Sequence, residues 1–226
     1  MNRRPVMNTR AHAWFALLFV LLTPLSARAQ GAAASWSGLY VGGHAGSAWH
    51  DISYVELDDP DAAISPSTMG PAGGVLAGYA RPLTHFVIGM EFDAGTASAH
   101  VTSDDPGNDY SAFELGWNSH LRGRLAYPRG RVAPFFAAGL AALRMRSDDV
   151  DDDFGEGTAT HVGWSVGGGV DAAVTSRFAI RAEFLHDDYN TARHAITAPA
   201  GPFFPAYQIE VTSRSNVLRA AVLYRF

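Results

Sequence analysis

From Val217 to Phe226 the chain alternates without a break. Leu218, Ala220, Val222, Tyr224 and Phe226 share one face of an extended segment, and Val217, Arg219, Ala221, Leu223 and Arg225 share the other. A period of two is the signature of a strand. One face is apolar and ends on an aromatic residue, whereas the other carries two arginines, so the strand has to lie between an apolar medium and a polar one. This segment reaches back to about Val211. Seven similar segments precede it, near 36–49, 73–80, 86–101, 112–127, 132–146, 160–175 and 178–189.

The connections carry a second pattern. Short turns at 81–85, 128–131 and 176–177 alternate with long polar stretches near 50–72, 102–111, 147–159 and 190–210. Short turns at one end and long loops at the other are the asymmetry of an up-and-down barrel that crosses an outer membrane, with the turns periplasmic and the loops extracellular.

The faces separate cleanly in several segments. Phe86, Ile88, Met90 and Phe92 oppose Gly89, Glu91 and Asp93 in the third. In the fourth, Phe113, Leu115, Trp117, Leu121, Leu125 and Tyr127 oppose Glu114, Asn118, His120, Arg122 and Arg124. Val162, Trp164, Val166 and Val170 oppose Gly163, Ser165, Gly167, Gly169 and Asp171 in the sixth, and Phe178, Ile180, Ala182 and Phe184 oppose Arg181 and Glu183 in the seventh. The first and fifth, rich in Gly and Ala, leave their parity open. A soluble barrel with an apolar ligand cavity would show the same alternation turned inside out. Its outer surface would carry many mixed charges, whereas here the polar face is rich in Gly and Ser and the chain has no lysine. Aromatic residues near segment ends, at Trp36, Trp49, Tyr79, Phe86, Tyr127, Phe178 and Phe226, predict the girdles of a membrane barrel.

The N-terminal segment predicts export. Arg3, Arg4 and Arg10 precede the apolar run 13–22, and Pro24 leads to Ala27-Arg28-Ala29, a small-x-small cleavage site before Gln30. The run is shorter than the roughly 20 residues that a spanning helix needs, so any span must be made of strands. The surroundings of Arg3-Arg4 do not support twin-arginine export, and a barrel crosses unfolded, which favours the general secretory route. The expected organisation is a signal peptide over 1–29 and one barrel domain over 30–226. Without residues 1–29 the chain keeps 13 arginines against 22 acids, a formal charge of −9. The absence of a basic stripe argues against a nucleic-acid partner. With no cysteine, the chain has neither disulfides nor thiolate metal sites.

Three stretches, Trp36-Ser-Gly-Leu-Tyr-Val-Gly-Gly-His-Ala-Gly46, Gly73-Gly-Val-Leu-Ala-Gly-Tyr79 and Phe86-Val-Ile-Gly-Met-Glu-Phe-Asp93, together with Arg181-Ala-Glu-Phe184 and the final eleven residues, carry a family likeness. The chain resembles the small porin-like outer-membrane proteins of proteobacteria, the opacity-type and OmpA-like barrels. The resemblance covers essentially all of the exported part. It implies an all-β, eight-stranded antiparallel up-and-down transmembrane β-barrel in the outer membrane of a Gram-negative bacterium. It also implies that Tyr224 and Phe226 form an assembly signal, paired by strand addition with the barrel assembly machinery. The peptidoglycan-binding domain of full-length OmpA is not expected here, since the sequence ends with the barrel.

The first candidate site is the lumen. Glu91, Asp93, Glu114, Asp171 and Glu183 are predicted to face the same interior as Arg122, Arg124, Arg181 and Arg219, with His120 among them. Eight strands enclose a space that side chains fill, so these groups should neutralise one another as a plug. The alternative is a narrow or gated pore. A second candidate, the acidic run Asp148-Asp-Val-Asp-Asp-Asp-Phe-Gly-Glu156, departs from the calcium-loop pattern because Phe154 stands where glycine is required, and reads as a solvated loop. Acids at Glu56, Asp58, Asp59, Asp61, Asp104, Asp105 and Asp109 extend the negative surface. Arg144, Arg146, Arg193 and Arg214 are either isolated surface charges or partners of lipopolysaccharide phosphates.

Catalysis is the third candidate. His186-Asp187-Asp188-Tyr189-Asn190 lies where a lipid A deacylase would keep a His-x-Ser pair, but Asp188 replaces the hydroxyl nucleophile. His44, His50, His100, His161 and His194 could offer axial ligands to haem, as some relatives are reported to do, but they are scattered. The resulting expectation is a monomeric, non-enzymatic barrel without cofactors that contacts outer-membrane lipid and lipopolysaccharide. The alternatives are a small-solute channel or haem receptor and, behind these, a lipid-modifying enzyme.

Overall fold

The computed structural model describes residues 35–56, 63–101, 112–148, 156–196 and 207–226. The expected signal peptide and most of the acidic run, 149–155, lie outside the described residues. Eight long strands follow one another: β1 Gly38–Glu56, β2 Ser67–Pro82, β3 Val87–Ala97, β4 Ala112–Ala126, β5 Val132–Asp148, β6 Glu156–Ala173, β7 Phe178–Ile196 and β8 Tyr207–Arg225. Two further pairs, Ala63–Ile64 and His100–Val101, hydrogen-bond to β1 and β4 respectively. Each long strand runs antiparallel to the next, and β8 returns onto β1 from Tyr40↔Arg225 to Glu56↔Ile209. The sheet thereby closes into a barrel. Among the described residues there is no helix.

The outer wall is apolar. Val75, Met90, Phe92, Leu140, Leu218 and Val222 are each more than half exposed, a surface that suits hydrocarbon rather than water. At the short-turn end it is bordered by aromatic contacts, Phe86 with Tyr127 at 5.2 Å and Phe178 with Tyr224 at 5.3 Å between ring centroids. At the loop end Trp49, Trp117 and Trp164 mark the second border. Trp36 is a correction to the predicted girdle. It is buried at the short-turn mouth of the barrel, where its Nε1 donates to the Gly130 carbonyl at 3.3 Å and the Arg225 guanidinium lies 4.5 Å from its ring. Gly130 has φ 63°, a left-handed turn position that suits glycine.

The strands are longer than the alternation alone suggested. A spanning strand needs about 9–11 residues, whereas β1, β7 and β8 have 19 each. The excess lies at the loop end, where the outer face turns polar and the hydrophobic pattern fades while the ladder continues.

Two bulges set which side chains enter the lumen. Between Leu115↔Met145 and Asn118↔Leu143, the pair Gly116-Trp117 faces the single residue Arg144. The extra residue reverses the parity of β4. Leu115, expected on the lipid face, is therefore buried inside, and Glu114, expected in the lumen, is exposed on the outer side. In β7, Asn190-Thr191 likewise faces Thr212 alone, which turns His194 inward. The parity left open by the sequence is now fixed: Tyr40, Ala48 and Ile52 of β1 and Phe135, Ala141 and Leu143 of β5 are buried within the barrel.

Candidate functional site: the charged layer of the lumen

The register of the sheet sets acids beside bases. Glu91 is the cross-strand partner of Arg122 and Asp93 of His120 in the β3–β4 pair. Asp171 faces Arg181 in β6–β7, and Glu183 faces Arg219 in β7–β8. Inward side chains on neighbouring strands at one level are in contact, so each hairpin supplies its own opposite charges.

Further bonds cross the lumen. Arg122 of β4 reaches Glu183 of β7 at 2.9 Å while holding Glu91 and Asp93 at 2.9 Å each. Arg181 of β7 binds Glu91 of β3 at 2.7 Å and Asp171 at 2.8 Å. Arg219 of β8 binds Asp93 of β3 at 3.1 Å and Glu183 at 2.8 Å, and Arg124 of β4 binds Asp171 of β6. Opposite walls are thus joined through four arginines and four carboxylates, equal in number. His120 links Asp93 at 2.7 Å to a fifth carboxylate, Asp187, at 3.3 Å. Tyr40 donates its hydroxyl to Glu91 at 2.8 Å. That ring occupies space that Gly78 leaves open, since a Cβ there would strike it. Arg122, Asp187 and the other carboxylates of the layer are all within a few per cent of complete burial.

The layer has a floor and a ceiling. Below it, Phe135 packs under the Arg124 and Arg181 guanidiniums at 3.9 and 4.7 Å, amid Leu76, Val87 and Leu223. Arg225 closes the mouth by donating to the carbonyls of Ser35 at 2.8 Å and Ser176 at 3.3 Å. Above it, Ile52, Leu115, Leu143, Met145 and Tyr189 form an apolar cluster inside the barrel. Two hollows, about 580 and 250 Å³, are open grooves on the apolar outer wall, lined by residues such as Val75 and Phe92 or Phe86 and Leu125.

Nine of the ten predicted lumen residues are brought together: Glu91, Asp93, His120, Arg122, Arg124, Asp171, Arg181, Glu183 and Arg219. Glu114 is excluded by the β4 bulge. Tyr224 and Phe226 lie on the outer wall at the short-turn end, their rings 5.0 Å apart. Sequence reasoning missed Asp187 and Tyr40 as parts of the interior, and it placed Arg225 on the polar row of the last strand without giving it a role. For Asp187 the signal was present, because Arg181, Glu183, Leu185 and Asp187 continue one odd-numbered row.

The other candidates separate. His186 faces outward, 5.5 Å from the Trp164 ring and 2.9 Å from Asn216 Oδ1, and Asp188 pairs with Arg214 at 2.9 Å. The histidines considered for haem lie at different levels: His44 beside Arg219 at 3.5 Å, His50 on Ser215 at 2.6 Å, and His161 with His194 at 2.8 Å. The side chain of His100 lies outside the described residues. No group of three or more His, Asp or Glu able to hold a metal ion occurs among the described residues.

A closed antiparallel barrel with an apolar outer band, aromatic borders and a polar interior defines an integral outer-membrane β-barrel protein. Comparison with known proteins agrees. The chain is 33% identical over 159 residues to the 22 kDa outer membrane protein of Rhizobium leguminosarum bv. viciae, covering 70% of this chain and 67% of that one. It is 26% identical over 161 residues to the 25 kDa outer-membrane immunogenic protein of Brucella abortus, covering 71% and 68%. The crystal structure of the outer membrane protein OprG from Pseudomonas aeruginosa shares the fold with a TM-score of 0.65, at 13% identity, over 84% of this chain and 96% of that one. Residues 15–226 match the outer membrane protein beta-barrel domain, and the chain belongs to that family.

Proposed function

We propose that the protein is a non-conducting, non-enzymatic structural and surface component of the outer membrane, built around a charge-paired plug. The observation that carries this reading is the set of bonds from Arg122, Arg181 and Arg219 across the lumen, between the β3–β4 wall and the β7–β8 wall. A path for ions would have to part several of them at once and would then meet an apolar layer at each end. Separating a buried pair leaves charges without compensation, which opposes spontaneous opening.

The acid-rich long connections support a role in presenting a hydrated, negative surface to the outside. The Brucella relative is named as immunogenic, and in this chain the loops would be the part open to such recognition. The aromatic strand end at Tyr224 and Phe226 supports pairing with the barrel assembly machinery, and the outer wall suits a monomer surrounded by lipid and lipopolysaccharide. Conductance recording in planar bilayers tests the reading. Silent membranes with verified inserted protein are expected, and reproducible unitary currents would replace the plug by a pore.

A further inference from the structure

We propose that His161 and His194 form a proton-sensitive clasp over a seam between β6 and β7, so that acid releases the loop ends of these two strands. The ladder between them stops at Gly163↔Tyr189, although β6 runs on to Glu156 and β7 to Ile196. Above that level β6 keeps its ladder with β5, as far as Asp148↔Glu156, and β7 keeps its ladder with β8, as far as Tyr207↔Ile196. Side chains bridge the seam instead. His161 Nε2 and His194 Nε2 lie 2.8 Å apart, and His194 Nδ1 lies 2.9 Å from Ser147 Oγ of β5. His194 thereby ties β7 to both strands on the far side of the seam, and both rings are completely buried. The clasp lies beyond the tryptophan border. His161 follows Trp164 toward the loop end of β6, and His194 is the partner of Ile209, whose own partner on β1 is Glu56, well past Trp49.

A bond between two imidazole nitrogens holds one proton. Neutral rings share it from one Nε2 to the other, and a first added proton leaves that bond in place. A second makes both Nε2 atoms donors and sets two cations against each other. Among the described residues the surroundings do not offset them. Met145 and Ser147 of β5, Ile209 and Val211 of β8 and Ile52 of β1 carry no charge, and Tyr189 of β7, the titratable side chain at this level, is a neutral phenol in mild acid. His50 and Asp187 stand one step lower on the rows of Ile52 and Tyr189. On the outer face Arg193 pairs with Glu210 at 3.0 Å, and Arg144 and Arg146 project from β5. Burial lowers the pKa of both imidazoles, and the neighbouring His161 adds to the effect at His194, which falls to about 4 from an ordinary 6.5. Released rings titrate near the ordinary value, so the open state binds more protons below about pH 6.5. The clasp is therefore fully closed above that value and weakens as pH falls toward about 4. This inference concerns the loop end and stands independently of whether the lumen conducts.

The test is the distance across the seam, read by pulsed electron spin resonance on the full barrel folded in lipid vesicles. The chain has no cysteine, so a spin-label pair at Thr160→Cys and Ala195→Cys, both exposed, reports on β6 and β7 alone. A second pair at Val170→Cys and Ala182→Cys, direct partners in the ladder, serves as the control. At about pH 7.5 the first pair should give one short distance. By about pH 4.5 a longer one should appear, with the ratio of open to closed raised at least about tenfold. The control pair should not change. His161→Gln/His194→Gln should make the first pair insensitive to pH over this interval. Should that barrel not fold, His194→Gln alone removes the second cation and should abolish most of the response. The proposal is overturned by a seam distance in the otherwise native barrel that stays the same from about pH 7.5 to about pH 4.5. It is equally overturned by an undiminished response in the Gln variants, which would assign the change to the Arg193–Glu210 pair and other surface acids.

Discussion

Replacing Arg122 with Ala removes a side chain that touches three carboxylates in the lumen at 2.9 Å each. Glu91, Asp93 and Glu183 each lie 2.9 Å from its guanidinium, and all four residues are almost wholly buried. Breaking a buried ion pair from one side costs about 3–5 kcal/mol, because the partner's charge stays in place without compensation. Here each carboxylate keeps a second arginine: Glu91 keeps Arg181, while Asp93 and Glu183 keep Arg219. Those contacts limit the damage, and the expected loss sits near the lower end, about 3 kcal/mol. The comparison is Arg214→Ala. Its partner Asp188 lies at 2.9 Å but the arginine side chain is 61% exposed, and such pairs contribute about 0–1 kcal/mol. Reversible urea unfolding in lipid vesicles, followed by tryptophan fluorescence and by the heat-dependent shift in gel mobility, measures both. A loss below about 1 kcal/mol for Arg122→Ala, indistinguishable from Arg214→Ala, would mean that water already solvates the layer, and the plug would be wrong.

Other outcomes follow from the same geometry. Protease added to intact cells should cut in the loops near Glu56, Asp105, Asp151 and Pro202 and spare the turn 128–131; cleavage at that turn would reverse the orientation. Deleting Phe226 should lower the yield of folded, heat-modifiable barrel more than Tyr224→Ala does, and equal yields would remove the special role of the terminal aromatic. Gly78→Val should displace the Tyr40 ring and its bond to Glu91, destabilising the barrel by about 1–3 kcal/mol. Gly73→Val on the outer face should have a much smaller effect in the same unfolding assay, and equal losses would show that Gly78 makes no special room.

The faces of β3, β7 and β8 were legible because large apolar residues alternate there with charged ones, as in Phe86 to Asp93. The pairing within the lumen was not, since it depends on register and on which walls stand opposite, and neither follows from one strand's pattern. Glu114 and Leu115 were assigned to the wrong sides because continuous alternation was carried through Gly116-Trp117, where the chain holds an extra residue. A glycine inside a strand is a known place for such a bulge. Trp36 read as a girdle residue by its position near a segment end; its burial comes from the Gly130 carbonyl and Arg225, both far away in sequence.

The direct charge pairs of the lumen also bear on how the barrel forms. Glu91↔Arg122, Asp171↔Arg181 and Glu183↔Arg219 each join strands that are consecutive in the chain. A nascent hairpin can therefore neutralise its own buried charges before its neighbours arrive. Bare guanidinium and carboxylate groups are costly at bilayer depth, whereas a hairpin with matched pairs presents a far smaller electrostatic barrier. The bonds from Arg122 to Glu183 and from Arg219 to Asp93 join distant strands and can form only once the β3–β4 wall stands opposite the β7–β8 wall. They would act as a latch on a ring whose hairpins can enter the membrane already close to electroneutral.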